Sequence, residues 1–141
     1  MVRMLTHGKY LLDTSTCIAL IKEKPSVVNH IRQVGVDDCK ISDITLAELY
    51  FGAYKSGRKE HFEDVIVISN LFEQYDVSCL KKYGEIRWLL ESKGIKIGDM
   101  DTFIAATALE EDLILVTGNI KHFDRVPGLK VENWMVEGFV P

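Results

Sequence analysis

Cysteine is scarce in this chain. Cys17, Cys39 and Cys79 make an odd count with no C-x-x-C spacing. A disulfide framework or a thiolate zinc site needs paired thiols, so both are disfavoured. Isolated cysteines in apolar sequence read as buried free thiols of a reducing cytoplasm. Long apolar runs are missing too. No stretch approaches the ~20 residues that cross a bilayer, so no membrane association is expected. Arg3 and Lys9 precede no apolar core with a small-residue cleavage site, so no secretory leader is expected either. Basic charge is not in excess. Lys and Arg number 17 against 21 Asp and Glu, for a net charge of −4, which argues against broad electrostatic binding of nucleic acid but leaves room for a local basic patch. No glycine-rich phosphate loop is present, which disfavours nucleotide binding of the P-loop or dinucleotide type. Repeats, linkers and low-complexity tracts are absent. There remains a chain of 141 residues, read as a single domain over 1–141 with a loosely held tail from about 135.

Along that chain, short apolar runs alternate with helical patterns. Lys9-Tyr10-Leu11-Leu12 reads as a buried strand ending at Asp13. Thr14-Ser15-Thr16 offers caps to a helix whose face is Cys17, Ile18, Leu20 and Ile21. Pro25 suits the first turn of the next helix, which faces its core with Val27, Val28, Ile31 and Val34 and stops at Gly35. Residues 39–44 read as a second strand. Thr45 and Glu48 follow with the spacing of a capping box. Residues 58–74 read as one long helix, and Asp76-Val77 as at most a short strand. Ser78 then caps a helix that ends at Gly94. Asp99 reads as the N-cap of the helix that follows. Asp101 falls in its first turn, where the helix dipole favours an anion. Leu113 to Val116 is a buried strand, Ile120 to Arg125 a short polar connection, and Leu129 to Trp134 a last edge strand. The alternation predicts an α/β fold, a central mostly parallel β-sheet flanked by α-helices, with right-handed connections.

In such a sheet, ligands bind beyond the carboxyl ends of the strands. Asp13 and Asn119 each follow a strand, and Glu48 lies one turn into a helix that starts at the same edge. The helix of Asp101 must also start there, because it runs back before the Leu113 strand. Three carboxylates and an amide at one edge call for a cation. Hard oxygen donors with no nearby His or Cys pair suit Mg²⁺, with Mn²⁺ able to substitute. Such a metal holds a phosphate, generates hydroxide and stabilises a leaving oxygen. A haloacid-dehalogenase phosphatase would need a second acid two residues after Asp13, where Ser15 stands. A receiver domain would need paired acids that are not found.

Leu11-Leu12-Asp13-Thr14-Ser15, residues 41–49 with Glu48, Met100-Asp101-Thr102-Phe103-Ile104-Ala105-Ala106 and Leu115-Val116-Thr117-Gly118-Asn119 resemble the successive motifs of PIN domains. The closing residues 123–129 and Glu132-Asn133-Trp134 are similar to VapC-type toxins of toxin–antitoxin pairs. The resemblance spans nearly the whole chain in order and spacing. It implies a PIN-like fold and a Mg²⁺-dependent endoribonuclease held inactive by a VapB-type antitoxin, acting on an RNA substrate as a homodimer. It makes Asp13 and Asp101 direct metal ligands and Glu48 the acid that orients or activates water. Asn119 takes a fourth place that is often Asp. Thr14, Ser15, Thr45 and Thr117 resemble the hydroxyls around those ligands, and Asp99 is either a cap or an outlying acid. The same acids also fit a metal-dependent phosphatase or deoxyribonuclease, or a catalytically idle module that grips a partner.

Other residues read more plainly. His30 and His122 lack ligand spacing and read as surface or core-edge residues. Trp88 and Trp134 read as packing residues. Lys22, Lys24, Lys55, Arg58, Lys59, Lys121 and Arg125 read as solvated charges, some flanking the acids. Leu46, Leu49, Tyr50, Phe51 and Tyr54 nearly surround their helix. That surplus predicts a groove for a partner helix or a face for a second copy.

Overall fold

Strand β1 (Tyr10–Leu12) is buried at every position, as an apolar run without alternation requires when both faces of a sheet are covered. A computed structural model describes residues 9–136. It places β1 at the centre of a five-stranded sheet ordered β3-β2-β1-β4-β5, with β2 (Cys39–Ser42), β3 (Glu73–Tyr75), β4 (Ile114–Val116) and β5 (Val131–Glu132). Every pairing is parallel. The chain therefore winds outward from β1 through β2 to β3, then crosses to β4 and β5 on the other side. The order reverses between β1 and β4, the position where open α/β sheets form a crevice.

The two faces have separate cores. Tyr10 and Leu12 point to one face, with Val27, Ile31, Leu49, Val65 and Trp134. That layer is built from α1 (Thr14–Ile21), α2 (Pro25–Val34), α3 (Asp43–Ser56) and α4 (Lys59–Leu71). Leu11 points to the other face, with Ile86, Leu90, Ile104 and Phe123. Here the layer is α5 (Leu80–Glu91), α6 (Asp99–Glu110) and the short α7 (Ile120–Phe123). All three cysteines are free and buried, and burial pushes the Cys39 thiol up to about 12. Among the described residues no helix is long and apolar enough to cross a membrane.

Several elements differ from the sequence reading. The helix expected over residues 58–74 ends at Leu71, because Phe72 turns into the core and Glu73–Tyr75 pairs with the open edge of β2. The Lys40 ammonium closes that pairing on Glu73 at 2.7 Å. Asp76-Val77 is then not a strand. Ser78 is not a cap, since α5 starts after Cys79 with no side-chain capping bond. The connection after β4 forms one helical turn, α7. Trp134 is fully buried, but Trp88 is 69% exposed. Ile86 and Leu90 take the inward side of α5, and Trp88, midway between them, falls on the opposite side. Ile18, expected on an inner face, is also exposed, as are Ile66 and Leu71 on α4. Met135 packs against the core and donates its N–H to Asn133 Oδ1. The rest of the tail expected to be loose, from 137 on, lies outside the described residues.

Candidate active site

Asp13 follows β1 directly and is itself the N-cap of α1. Its Oδ1 accepts the Thr16 N–H at 2.9 Å and the Ser15 hydroxyl at 2.7 Å. The Ser15 Oγ in turn accepts the Gly118 N–H at 3.1 Å, which ties the end of β1 to the turn after β4. Thr16 makes a second tie, its hydroxyl donating to the Val116 carbonyl at 2.8 Å. Asp13 is thereby fixed at the switch between β1 and β4, 5% exposed, with no hydrogen bond to Oδ2 among the described residues.

The helix of Glu48 starts earlier than its sequence suggests. Ser42, the last residue of β2, caps α3 by accepting the Thr45 N–H at 3.1 Å. Thr45 is therefore not a cap, and no capping box forms. The reason is that Asp43 and Ile44 continue the helix backward once β2 has ended at Ser42. Glu48 is left free of capping, and its Oε1 accepts the Thr14 hydroxyl at 2.5 Å instead.

Asp99 is not the cap of α6 either. Gly98 takes that place at φ 91°, a conformation that suits glycine. Asp99 becomes the first helical residue, and its carboxylate accepts from the Tyr83 hydroxyl at 2.7 Å, with Arg87 at 3.5 Å. Asp101 lies one step further on. Burial pushes its carboxyl above the ordinary carboxylate range. His122 pulls it back, and the charges of Glu48 and Asp13 push it up again. The helix dipole favours an anion at this position, but desolvation and like charge outweigh it. Asn119 heads α7 with no capping bond from its side chain, which is exposed; its N–H donates to Thr117 Oγ1 at 3.0 Å.

The fold thus brings Asp13 and Glu48 within electrostatic reach of Asp101, with Ser15 and Thr14 bonded to the first two. Thr45 and Asp99 are engaged elsewhere, with Ser42 and with α5. Among the described residues no three His, Cys, Asp or Glu side chains are drawn to the spacing of a metal cage. The donor set fits a hard divalent cation: carboxylate oxygens, no thiolate, and a ring nitrogen turned onto Asp101. A cation there would reverse the field that disfavours the Asp101 anion.

One residue of the site was missed. His122 Nε2 stands 2.9 Å from Asp101 Oδ2. Its signal was faint but present. It lies three residues past Asn119, and a helical turn puts both on one face. The stretch reads as irregular only while α7 goes unrecognised.

Beside Glu48 a groove of about 260 Å³ runs between α1, α3 and α4, lined by Ile18, Ile21, Leu49, Ala53 and Val65. Phe51 and Tyr54 are 68% and 74% exposed on α3. The surplus apolar surface expected of this helix is there, and the groove includes Glu48 itself.

Residues 10–129 match the PIN domain family. Ribonuclease VapC2 of Rickettsia felis is 39% identical over 130 residues, covering 89% of this chain and 97% of that protein. The tRNA(fMet)-specific endonuclease VapC of Salmonella typhimurium is 39% identical over 129 residues, covering 89% and 98%. In three dimensions the chain is similar to the crystal structure of VapBC2 from Rickettsia felis bound to a DNA fragment from their promoter. The TM-score is 0.83 at 40% identity, covering 89% of this chain and 98% of that one. The matched span contains the whole switch crevice and every acid around it, and on that ground the chain belongs to the PIN domain family, among the VapC ribonucleases.

Proposed function

We propose that this chain is a Mg²⁺-dependent endoribonuclease, the toxin of a type II toxin–antitoxin pair. The observation that carries the reading is the coupling of Asp101 to Glu48 and Asp13 at the sheet's switch point. Asp13 and Asp101 would hold the ion, with Mn²⁺ able to replace Mg²⁺, and Asn119 would complete the pocket without adding charge. A bound divalent ion supplies Lewis acidity and neutralises charge on the phosphate. Thr14 fixes one oxygen of Glu48, and the other accepts from the water that attacks phosphorus. Gly118, Ser15 and Thr16 keep Asp13 from turning away.

The partner reading rests on the groove. The related structure holds VapB with VapC. A VapB-type segment laying apolar side chains between α1, α3 and α4 would reach Glu48, which lines the same groove. Binding would thereby close the site.

The test is single-turnover cleavage with Mg²⁺ of an RNA panel that includes tRNA(fMet), the substrate named for the Salmonella typhimurium relative, alongside DNA and small phosphoesters. D13N and D101N are expected to abolish RNA cleavage while retaining the fold. Near-normal Mg²⁺-dependent activity in either would refute the assignment. Cleavage of DNA or phosphoesters in place of RNA would refute the substrate class.

A further inference from the structure

His122 takes no part in the reading above, yet its ring joins three segments of chain. Nε2 lies 2.9 Å from the Ile97 carbonyl oxygen, just before α6, and 2.9 Å from Asp101 Oδ2, inside α6. A carbonyl only accepts, so Nε2 carries a proton and donates. On the opposite side of the ring, Arg125 Nη2 stands 3.4 Å from Nδ1. A guanidinium only donates, so Nδ1 accepts. Both neighbours therefore select the arrangement that carries a proton on Nε2.

That one proton is shared, donated to the Ile97 carbonyl with Asp101 Oδ2 at the same 2.9 Å from Nε2. With Oδ2 against that N–H, Oδ1 is the oxygen that no side chain approaches as closely among the hydrogen bonds and ion pairs of the described residues. A carboxylate without such a restraint rotates about χ2 and offers either oxygen in many directions. Partners that orient ligands in this way are worth about 10–100-fold in metal affinity.

We propose that His122 is a positioning residue: its Nε2–H, shared with the Ile97 carbonyl, steadies Asp101 Oδ2 and so leaves Oδ1 turned to the cation that Asp13 and Asp101 would hold. This rests on the metal-site reading of those acids. A purely structural role is the rival, in which the bond to Ile97 pins α7 to the segment before α6 and the contact with Asp101 is incidental.

The two roles separate in a direct measurement of Mn²⁺ binding, by calorimetry or by the spin resonance of free Mn²⁺, on the RNA-free full chain. Wild type, H122L, H122Q, H122N and D101N are compared, each with a thermal melt. Glutamine carries an amide N–H to the reach of Nε2, whereas asparagine stops at the level of Nδ1. H122L and H122N are expected to bind Mn²⁺ about 10–100-fold more weakly than wild type, with H122Q recovering most of the loss. The H122Q and H122N pair keeps the test alive if H122L does not fold. Wild-type affinity in H122N or H122L, with only the melt lowered, overturns the proposal and leaves the metal reading standing. Absence of Mn²⁺ binding by wild type overturns the metal reading and this proposal with it.

Discussion

Among the described residues Glu48 has one hydrogen-bond partner for its side chain, the Thr14 hydroxyl, and no duty at a helix end. Glu48→Gln keeps an oxygen to accept from Thr14 but removes the charge that orients water. The expected result is a fall in single-turnover rate of roughly 10²–10⁴-fold with the melting temperature nearly unchanged. Cleavage within a few-fold of wild type would reduce Glu48 to a groove residue. Asp101 makes a second residue-scale prediction, and its sign follows from burial. Its folded carboxyl titrates above the ordinary 3.8, so between the two values the folded state holds the extra proton. The stability this gives is present at low pH and lost as pH rises through the folded value. In chelator, melts of D101N and wild type taken from about pH 4 to about pH 8 should therefore diverge upward, with the variant gaining as pH rises. A gap that is constant with pH would mean that Asp101 carries no ionisation penalty.

At the scale of elements, capping decided where the site residues landed. Sequence spacing favoured Thr45 with Glu48, whereas Ser42 caps α3 from the end of β2. Ser42→Ala should cost about 1 kcal/mol in urea unfolding, with Glu48→Ala, which would break a capping box, costing less. The reverse ranking would restore the capping box. Asp99 shows the same competition. Gly98 adopts the left-handed conformation that starts α6, and Asp99 is released to bond Tyr83 on α5. Local spacing cannot distinguish two polar residues that both satisfy a cap. The choice fell to the strand or glycine that fixes the preceding backbone.

Over the whole molecule, the sheet order places the acids at one crevice and leaves an apolar flank beside it. Phe51 and Tyr54 on that flank are solvated in the isolated chain, with Tyr54 in a T-shaped pair with Phe62, ring centroids 4.8 Å apart. The double variant F51E/Y54E is expected to reduce binding of the dye ANS and any concentration-dependent association seen by sedimentation. Unchanged dye binding would place the sticky surface elsewhere, with the exposed Trp88 as the next face to test.

The order of strands and helices, the parallel sheet and the placing of Asp13, Glu48, Asp101 and Asn119 at one edge were legible in the sequence. Each follows from local pattern plus connectivity. A buried run ends at a polar residue, and parallel crossovers force all such ends to the same side. The structure alone decided that His122 lies on Asp101, that β3 begins at Glu73, that Trp88 faces out and that Ser15 ties Asp13 to Gly118. These depend on how segments distant in sequence cross and on which rotamer each side chain takes at the crossing. No period of two or 3.6 residues records either of them.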